Sequence, residues 1–133
     1  MANIPQEILT RKHEITTQFL DLLDQYIEDI LNGRIKTAYT IKDFAGRLSI
    51  QPAHLNNTIK LTTKRAPSDF MDERIVAEGK RMLSETTMSV TEICKTLAFQ
   101  DIDNFIKFFS SVEGKTPLEY RNQFAHADSL NLH

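Results

Sequence analysis

One stretch of this chain occurs twice. TIKDFAGRLSIQ (40–51) and SVTEICKTLAFQ (89–100) align at an offset of 49 residues. Thr40 falls on Ser89, Ile41 on Val90, Asp43 on Glu92, Ala45 on Cys94, Leu48 on Leu97, Ile50 on Phe99 and Gln51 on Gln100. After one inserted residue the register resumes at an offset of 50, with Leu55 on Phe105, Ile59 on Phe109, Pro67 on Pro117, Asp69 on Glu119 and Phe70 on Tyr120. The agreement is one of chemical roles: caps meet caps, core residues meet core residues, prolines meet prolines. A chain that holds one supersecondary unit twice builds two like lobes, and 133 residues leave little room for more.

The unit itself is helical. Thr40/Asp43 and Ser89/Glu92 carry the spacing of a capping box, in which hydroxyl and carboxylate each satisfy a free backbone N–H. Behind them Ile41, Phe44, Ala45 and Leu48, and then Val90, Ile93, Cys94 and Leu97, make short apolar faces at helical spacing. Pro52 opens a second helix bearing Leu55 and Ile59. Its counterpart starts at Asp101, bears Phe105, Phe108 and Phe109, and stops at Gly114. Helical spacing marks these rings as core rather than as a base-stacking platform. A helix with Phe70, Met71, Ile75, Met82 and Leu83 starts at Pro67 and runs to about Ser84. Thr116-Pro117-Leu118-Glu119 opens the last one. Ahead of the repeat, Ile15, Phe19, Leu22, Leu23, Tyr26, Ile27 and Ile30 form an amphipathic stripe over 14–31 that stops at Asn32-Gly33. The expected division is an N-terminal helix and connection (1–35), a first lobe (36–66), a linker helix (67–86), a second lobe (87–124) and a frayed tail (125–133). The stripe over 14–31 must be covered, and packing on the first lobe is favoured over self-association.

Composition excludes several classes. No apolar run reaches the ~20 residues of a membrane span, and the N-terminus lacks a signal-peptide profile, which points to the cytoplasm. A single Cys94 forbids an internal disulfide and, with four scattered His, builds no zinc site. Its alignment with Ala45 reads it as core. No Gly-rich phosphate loop, nucleophile triad or paired catalytic carboxylates occur. The expectation is therefore a non-enzyme without metal or cofactor. The net charge of −2 hides a strong local imbalance. Arg34, Lys36, Lys42, Arg47, Lys60, Lys64 and Arg65 face Asp43 alone within 34–65, whereas both flanks are acidic. Such a run reads either as a solvated face or as the footprint of a phosphate-binding surface.

Two short helices joined by a tight turn match the helix-turn-helix, whose second helix lies in the DNA major groove, although plain bundles contain such pairs too. Polarity on the second helices favours the former. Beside Leu55 and Ile59 stand Asn56, Asn57 and Lys60; beside Phe105 and Phe109 stand Asp103, Asn104 and Lys107. Asn pairs bidentately with adenine, Lys reaches guanine or phosphate, and Asp accepts from cytosine. Lys42, Lys60, Lys64 and Arg65 are the candidate phosphate contacts. A linker helix roughly 25 Å long, at ~1.5 Å per residue, could set two such helices near the ~34 Å between successive major-groove segments.

The run DERIVAEGKRMLSETTMSVTEICKTLAF, followed by Asp101, Phe105, Phe109, Gly114 and Thr116-Pro117-Leu118-Glu119-Tyr120-Arg121, resembles the DNA-binding domain of AraC/XylS-type bacterial transcription regulators. The resemblance covers 40 to about 123 and is strongest over 70–121. It implies an all-α, homeodomain-like fold with two helix-turn-helix lobes joined by a long linker helix, here with an extra N-terminal helix. It also implies double-stranded DNA as the partner, with RNA polymerase the target of regulation; a monomer on DNA is expected, and the lack of an apolar span argues against a membrane role. Dimerisation through the N-terminal helix is the alternative to a monomer. The family's base-contacting positions fall on Ala53, Asn56 and Asn57 and on Asp103, Asn104 and Lys107, and a backbone-contacting one on Lys60. Larger members carry a sensor or dimerisation domain that is not expected within this chain.

The departures from the family pattern are informative. Arg is usual where Asn57 and Lys107 stand, a Lys pair where Ser110-Ser111 stand, Ser or Thr near Asp103, and Ala at Gly79. Gly is usual at Lys64 and Ala98, which implies left-handed backbone there at about 1 kcal/mol or more each. The second lobe is electrostatically weak, and binding is expected to lean on 34–65. A competing reading is a helical protein-interaction module that has lost tight DNA binding. Small-molecule sensing is disfavoured because no separate pocket-forming domain fits in the chain.

Overall fold

The computed structural model describes residues 5–131, with side chains described through 124. Seven α-helices occur among the described residues: α1 Gln6–Leu31, α2 Ile41–Arg47, α3 Pro52–Thr63, α4 Pro67–Glu85, α5 Val90–Thr96, α6 Ile102–Glu113 and α7 Pro117–Asn131. None is long and apolar enough to cross a membrane. The chain forms two compact units, Met1–Glu28 with Tyr39–Met71 and Asp29–Ala38 with Asp72–His133. Sequence order groups 29–38 with the N-terminal helix and the first lobe, but these residues cluster with the second unit. One tie is the Gln100 side-chain amide, which donates to the Lys36 carbonyl at 3.5 Å.

The repeat is realised cap for cap. Thr40 Oγ1 accepts from the Asp43 N–H at 3.4 Å while the Asp43 carboxylate accepts from the Thr40 N–H at 2.7 Å. Ser89 and Glu92 repeat this at 3.0 and 3.4 Å. At the start of α7, Thr116 and Glu119 form a third reciprocal pair at 3.1 and 2.9 Å. Each pair satisfies two N–H groups that the first turn of a helix leaves without an intrahelical acceptor.

In the first unit α1 supplies most of one wall. Ile15, Phe19, Leu23, Tyr26 and Ile27 are buried, and Leu22 at the edge of the stripe is half-buried. Phe44 is the hub, with its ring edge-on to Phe19 at 5.6 Å, to Tyr26 at 5.2 Å and to Tyr39 at 5.6 Å. The Tyr26 hydroxyl also accepts from the Tyr39 N–H at 3.0 Å, and Thr16 and Thr62 share a 2.7 Å hydroxyl hydrogen bond between α1 and α3. The stripe is thus covered within the first unit as far as Ile27, whereas the buried Ile30 belongs to the second unit. In the second unit Ile93, Cys94, Leu97, Phe105 and Phe109 are buried. Rings then run outward from Phe109 to Tyr120 at 5.9 Å and on to Phe124 at 5.1 Å. Arg121 closes the helix end beside it, donating to the Leu83, Met82 and Thr86 carbonyls at 3.0, 3.5 and 3.4 Å. A cation at the C-terminus of α4 meets both the orphan carbonyls and the negative end of the helix dipole.

Two boundaries differ from the sequence expectation. α1 begins at Gln6, about two turns earlier than the stripe, with the Pro5 carbonyl accepting from the Ile8 and Leu9 N–H groups. This turn has no apolar face for periodicity to reveal, and Ile8 is 47% exposed. The tail expected to fray over 125–133 is helical through Asn131, since no Gly or Pro interrupts it; residues 132–133 lie outside the described ones.

Left-handed backbone occurs at Lys64 (φ 67°) and Ala98 (φ 67°), where the resemblance implies it, and also at Ser49 (φ 58°). Ser49 is the repeat partner of Ala98, and Lys64 is the partner of Gly114 (φ 85°). Each lobe therefore turns its chain with two left-handed residues, and three of the four carry a Cβ that this conformation disfavours.

Gly79 sits inside α4, and a Cβ there would meet Phe109 at 3.5 Å and Leu97 at 3.7 Å, ordinary packing distances. Gly79→Ala is expected to raise stability by about 0.5–1 kcal/mol, the gain of relieving a mid-helix glycine; an unchanged or lower melting temperature would show that the contact is too tight. Hydrogen bonds from the Thr40 and Thr116 backbone and hydroxyl groups hold the carboxyls of Asp43 and Glu119 below their usual range. Their capping stability is complete above the unfolded carboxylate range of about pH 4 and is lost as pH falls through the lower folded values. Asp43→Asn with Glu119→Gln should flatten the fall in melting temperature between about pH 5 and pH 3, and a slope equal to the parent's would refute the assignment.

Candidate nucleic-acid interface

α3 is built to show one face. Gln51 enters it in extended backbone with Pro52 at the first helical position, where a missing N–H costs nothing. Leu55, Thr58 and Ile59 are buried. The opposite side carries Ala53, Asn57, Lys60 and Lys64, all exposed, at steps of four, three and four residues. These steps place the four along one stripe of the helix and its cap. Asn56 is half-buried at the edge of that stripe. The helix ends where the Lys64 N–H donates to the Lys60 carbonyl at 2.9 Å.

The basic segment is sorted by its contacts. Arg34 pairs with Asp29 at 2.8 Å and belongs, with Lys36, to the second unit. The Arg47 guanidinium donates to the Tyr39 hydroxyl and lies 4.9 Å from that ring's centre. Arg65 lies over the Phe70 ring at 4.5 Å, which places its guanidinium against an apolar face. Lys42 on α2, Lys60 and Lys64 are exposed. In the first unit the structure therefore brings Lys60 and Lys64 onto the same stripe as Ala53 and Asn57. Arg47 and Arg65, alike in sequence, each cover an aromatic ring.

α6 repeats the design with different chemistry. Asp101 in extended backbone accepts from the Asp103 N–H at 2.8 Å. Phe105 and Phe109 are buried, and Asp103, Asn104 and Lys107 are exposed. Asp103 and Lys107 stand one turn apart with Asn104 beside them. Asp103 lies in the first turn of α6, where the positive end of the helix dipole favours a carboxylate. That gives this acid a structural reason independent of any base contact. Ser111, at the second place of the usual Lys pair, turns its hydroxyl back to the Phe108 carbonyl at 2.8 Å. The Ser110 hydroxyl is buried without a hydrogen-bond partner.

Other chemistry is weakly served. Burial pushes the Cys94 thiol up, so the thiolate is disfavoured, and its sulfur faces the Phe99 carbonyl at 3.7 Å. His54 is exposed on α3. Among the described residues no group of three or more His, Cys, Asp or Glu is arranged to hold a metal ion. Sequence reasoning had no notice of Ser49 as a turning residue, although its pairing with Ala98 in the repeat carried that signal.

A family model described as a helix-turn-helix domain matches residues 44–123. Among curated proteins, the HTH-type transcriptional regulator YobQ of Bacillus subtilis is 30% identical over 118 residues, covering 80% of this chain and 49% of that protein. YtdP of the same organism is 29% identical over 106 residues, covering 80% of this chain and 14% of the relative. The chain thus spans half or less of the length of these relatives. Among solved structures, the DNA-binding domain of the global transcriptional factor AdpA, in complex with a target DNA, superposes with a TM-score of 0.69 at 16% identity, over 82% of this chain and 94% of that one. An AraC-type transcriptional regulator from Chromobacterium violaceum gives 0.66 at 19% identity, over 87% and 96%. At such identities the structural likeness concerns the fold, and the family model supplies the membership. With two capped helix pairs, each exposing a polar face on its second helix, the chain belongs to the AraC-type helix-turn-helix domain family.

Proposed function

We propose that this chain is the sequence-specific double-stranded DNA-binding part of a transcription regulator, reading major-groove segments with α3 and α6. The observation that carries this reading is the exposed stripe of Ala53, Asn57, Lys60 and Lys64 set opposite the buried Leu55 and Ile59. In this reading Ala53 admits close approach of a base edge, and Asn56 and Asn57 present amides able to pair with adenine. On α6, Asn104 and Lys107 take the equivalent roles, and Asp103 accepts from a cytosine amine. Lys42, Lys60, Lys64 and Arg65 meet phosphate and set the register, without themselves carrying sequence information. Ile15, Phe19, Leu23, Tyr26, Ile27 and Ile30 of the α1 stripe are already buried within the chain, which supports a monomer on DNA over pairing through that helix. Regulation follows by contacting or blocking RNA polymerase.

A second reading, a protein-interaction module, draws on the second unit. Asp103 has the wrong sign for phosphate, and Ile102, Val112 and Leu118 are 36%, 40% and 58% exposed. The two readings separate in one experiment. Replacing Asn57 and Lys107 together by Ala should weaken binding to a selected site at least tenfold, since a good side-chain–base pair is worth about 1–3 kcal/mol. Binding to unrelated duplex should fall less. An equal loss on both DNAs would remove the base-reading role, and no measurable duplex binding by the parent would favour the interaction module.

A further inference from the structure

A cavity of about 450 Å3 opens within the second unit, between the end of α1 with its following loop and the α5–α6 turn. Its floor is apolar, made by Leu31 and Ile35 on one side and by Ala98 and Phe99 on the other. Lys36 and Lys95 line it as well, and both are exposed. None of the described residues that line it is acidic, in a chain whose net charge is −2. The Gln100–Lys36 hydrogen bond of 3.5 Å joins its two sides. The volume lies within the range of roughly 300–1,000 Å3 typical of small-molecule sites.

We infer that this cavity binds an organic anion with an apolar body: a carboxylate met by Lys36 and Lys95, carrying a short hydrocarbon or aromatic portion that lies on Ile35, Ala98 and Phe99. An inorganic anion would gain only the screened attraction of two exposed lysines, and an uncharged apolar molecule would gain only the burial. An amphipathic anion uses both and keeps its charge in contact with water, which avoids the cost of burying it. The Phe99 ring packs on Phe105 at 5.1 Å and Phe108 at 5.3 Å, so the occupant touches a ring seated on α6. Such a site needs no separate sensor domain, because a turn and a loop already form it.

Titration calorimetry on the full chain, without DNA, tests this independently of the DNA-binding reading. The probes are octanoate, octanol and inorganic phosphate. Octanoate should bind saturably at one site, with octanol and phosphate at least tenfold weaker. Lys36→Ala with Lys95→Ala should weaken octanoate binding at least tenfold without changing the melting temperature, and Ile35→Glu should abolish it. Absence of saturable octanoate binding would overturn the proposal. So would phosphate binding as tightly as octanoate, which would make the lysines plain anion contacts, or a double variant that binds like the parent.

Discussion

On each second helix of the repeat, two large side chains one turn apart are sunk completely into a core: Leu55 and Ile59 on α3, Phe105 and Phe109 on α6. That burial fixes the rotation of the helix about its own axis. Whatever stands half a turn away must then face outward. Truncating any of the four would cost about 2–5 kcal/mol, a large share of the stability of a small domain. The exposed stripe is therefore rigid because the buried one is, and a reading surface needs that rigidity. The short helices before α3 and α6 do the supporting, each started by a reciprocal hydroxyl–carboxylate cap and each ending in a turn that needs a left-handed residue.

Much of this was legible because the repeat made each observation twice. A single Thr-x-x-Asp is a weak signal, but Thr40/Asp43 aligned with Ser89/Glu92 is a strong one, and both pairs cap. The same logic read Cys94 as core from Ala45, and both are buried. Local signals failed where the determinant was tertiary. The first two turns of α1 have no apolar face, so periodicity passes over them. The partition of 29–38 into the second unit depends on contacts with residues some 60 positions away, such as Gln100, which no local pattern announces. Charge was the least transparent signal. Seven cations in one stretch look alike in sequence, yet Arg34 meets Asp29, while Arg47 and Arg65 lie over tyrosine and phenylalanine rings. Arg stacks on such faces more readily than Lys, and two of the segment's three arginines are so engaged, while the third pairs with a carboxylate.

The two lobes have diverged in chemistry while keeping their geometry. The first offers amides and lysines along α3. The second starts its helix with Asp101 and Asp103, where the helix dipole welcomes acid, and carries Ser110-Ser111 where cations are usual in the family. Under the proposed function, this asymmetry would give the lobes unequal shares in DNA affinity, with phosphate contacts concentrated on the first lobe and a correspondingly modest dependence on salt. It also leaves the second lobe's surface, cavity included, open to other uses.

The central claim is that both polar faces read base sequence, and affinity selection from random duplex DNA at moderate salt tests it most directly. The account predicts enrichment of an asymmetric site of about 20 base pairs, the span of two recognition helices about one helical turn apart. Enrichment of a motif half that length would contradict the role of α6. No enrichment at all, with weak binding that vanishes as salt rises, would contradict the account as a whole.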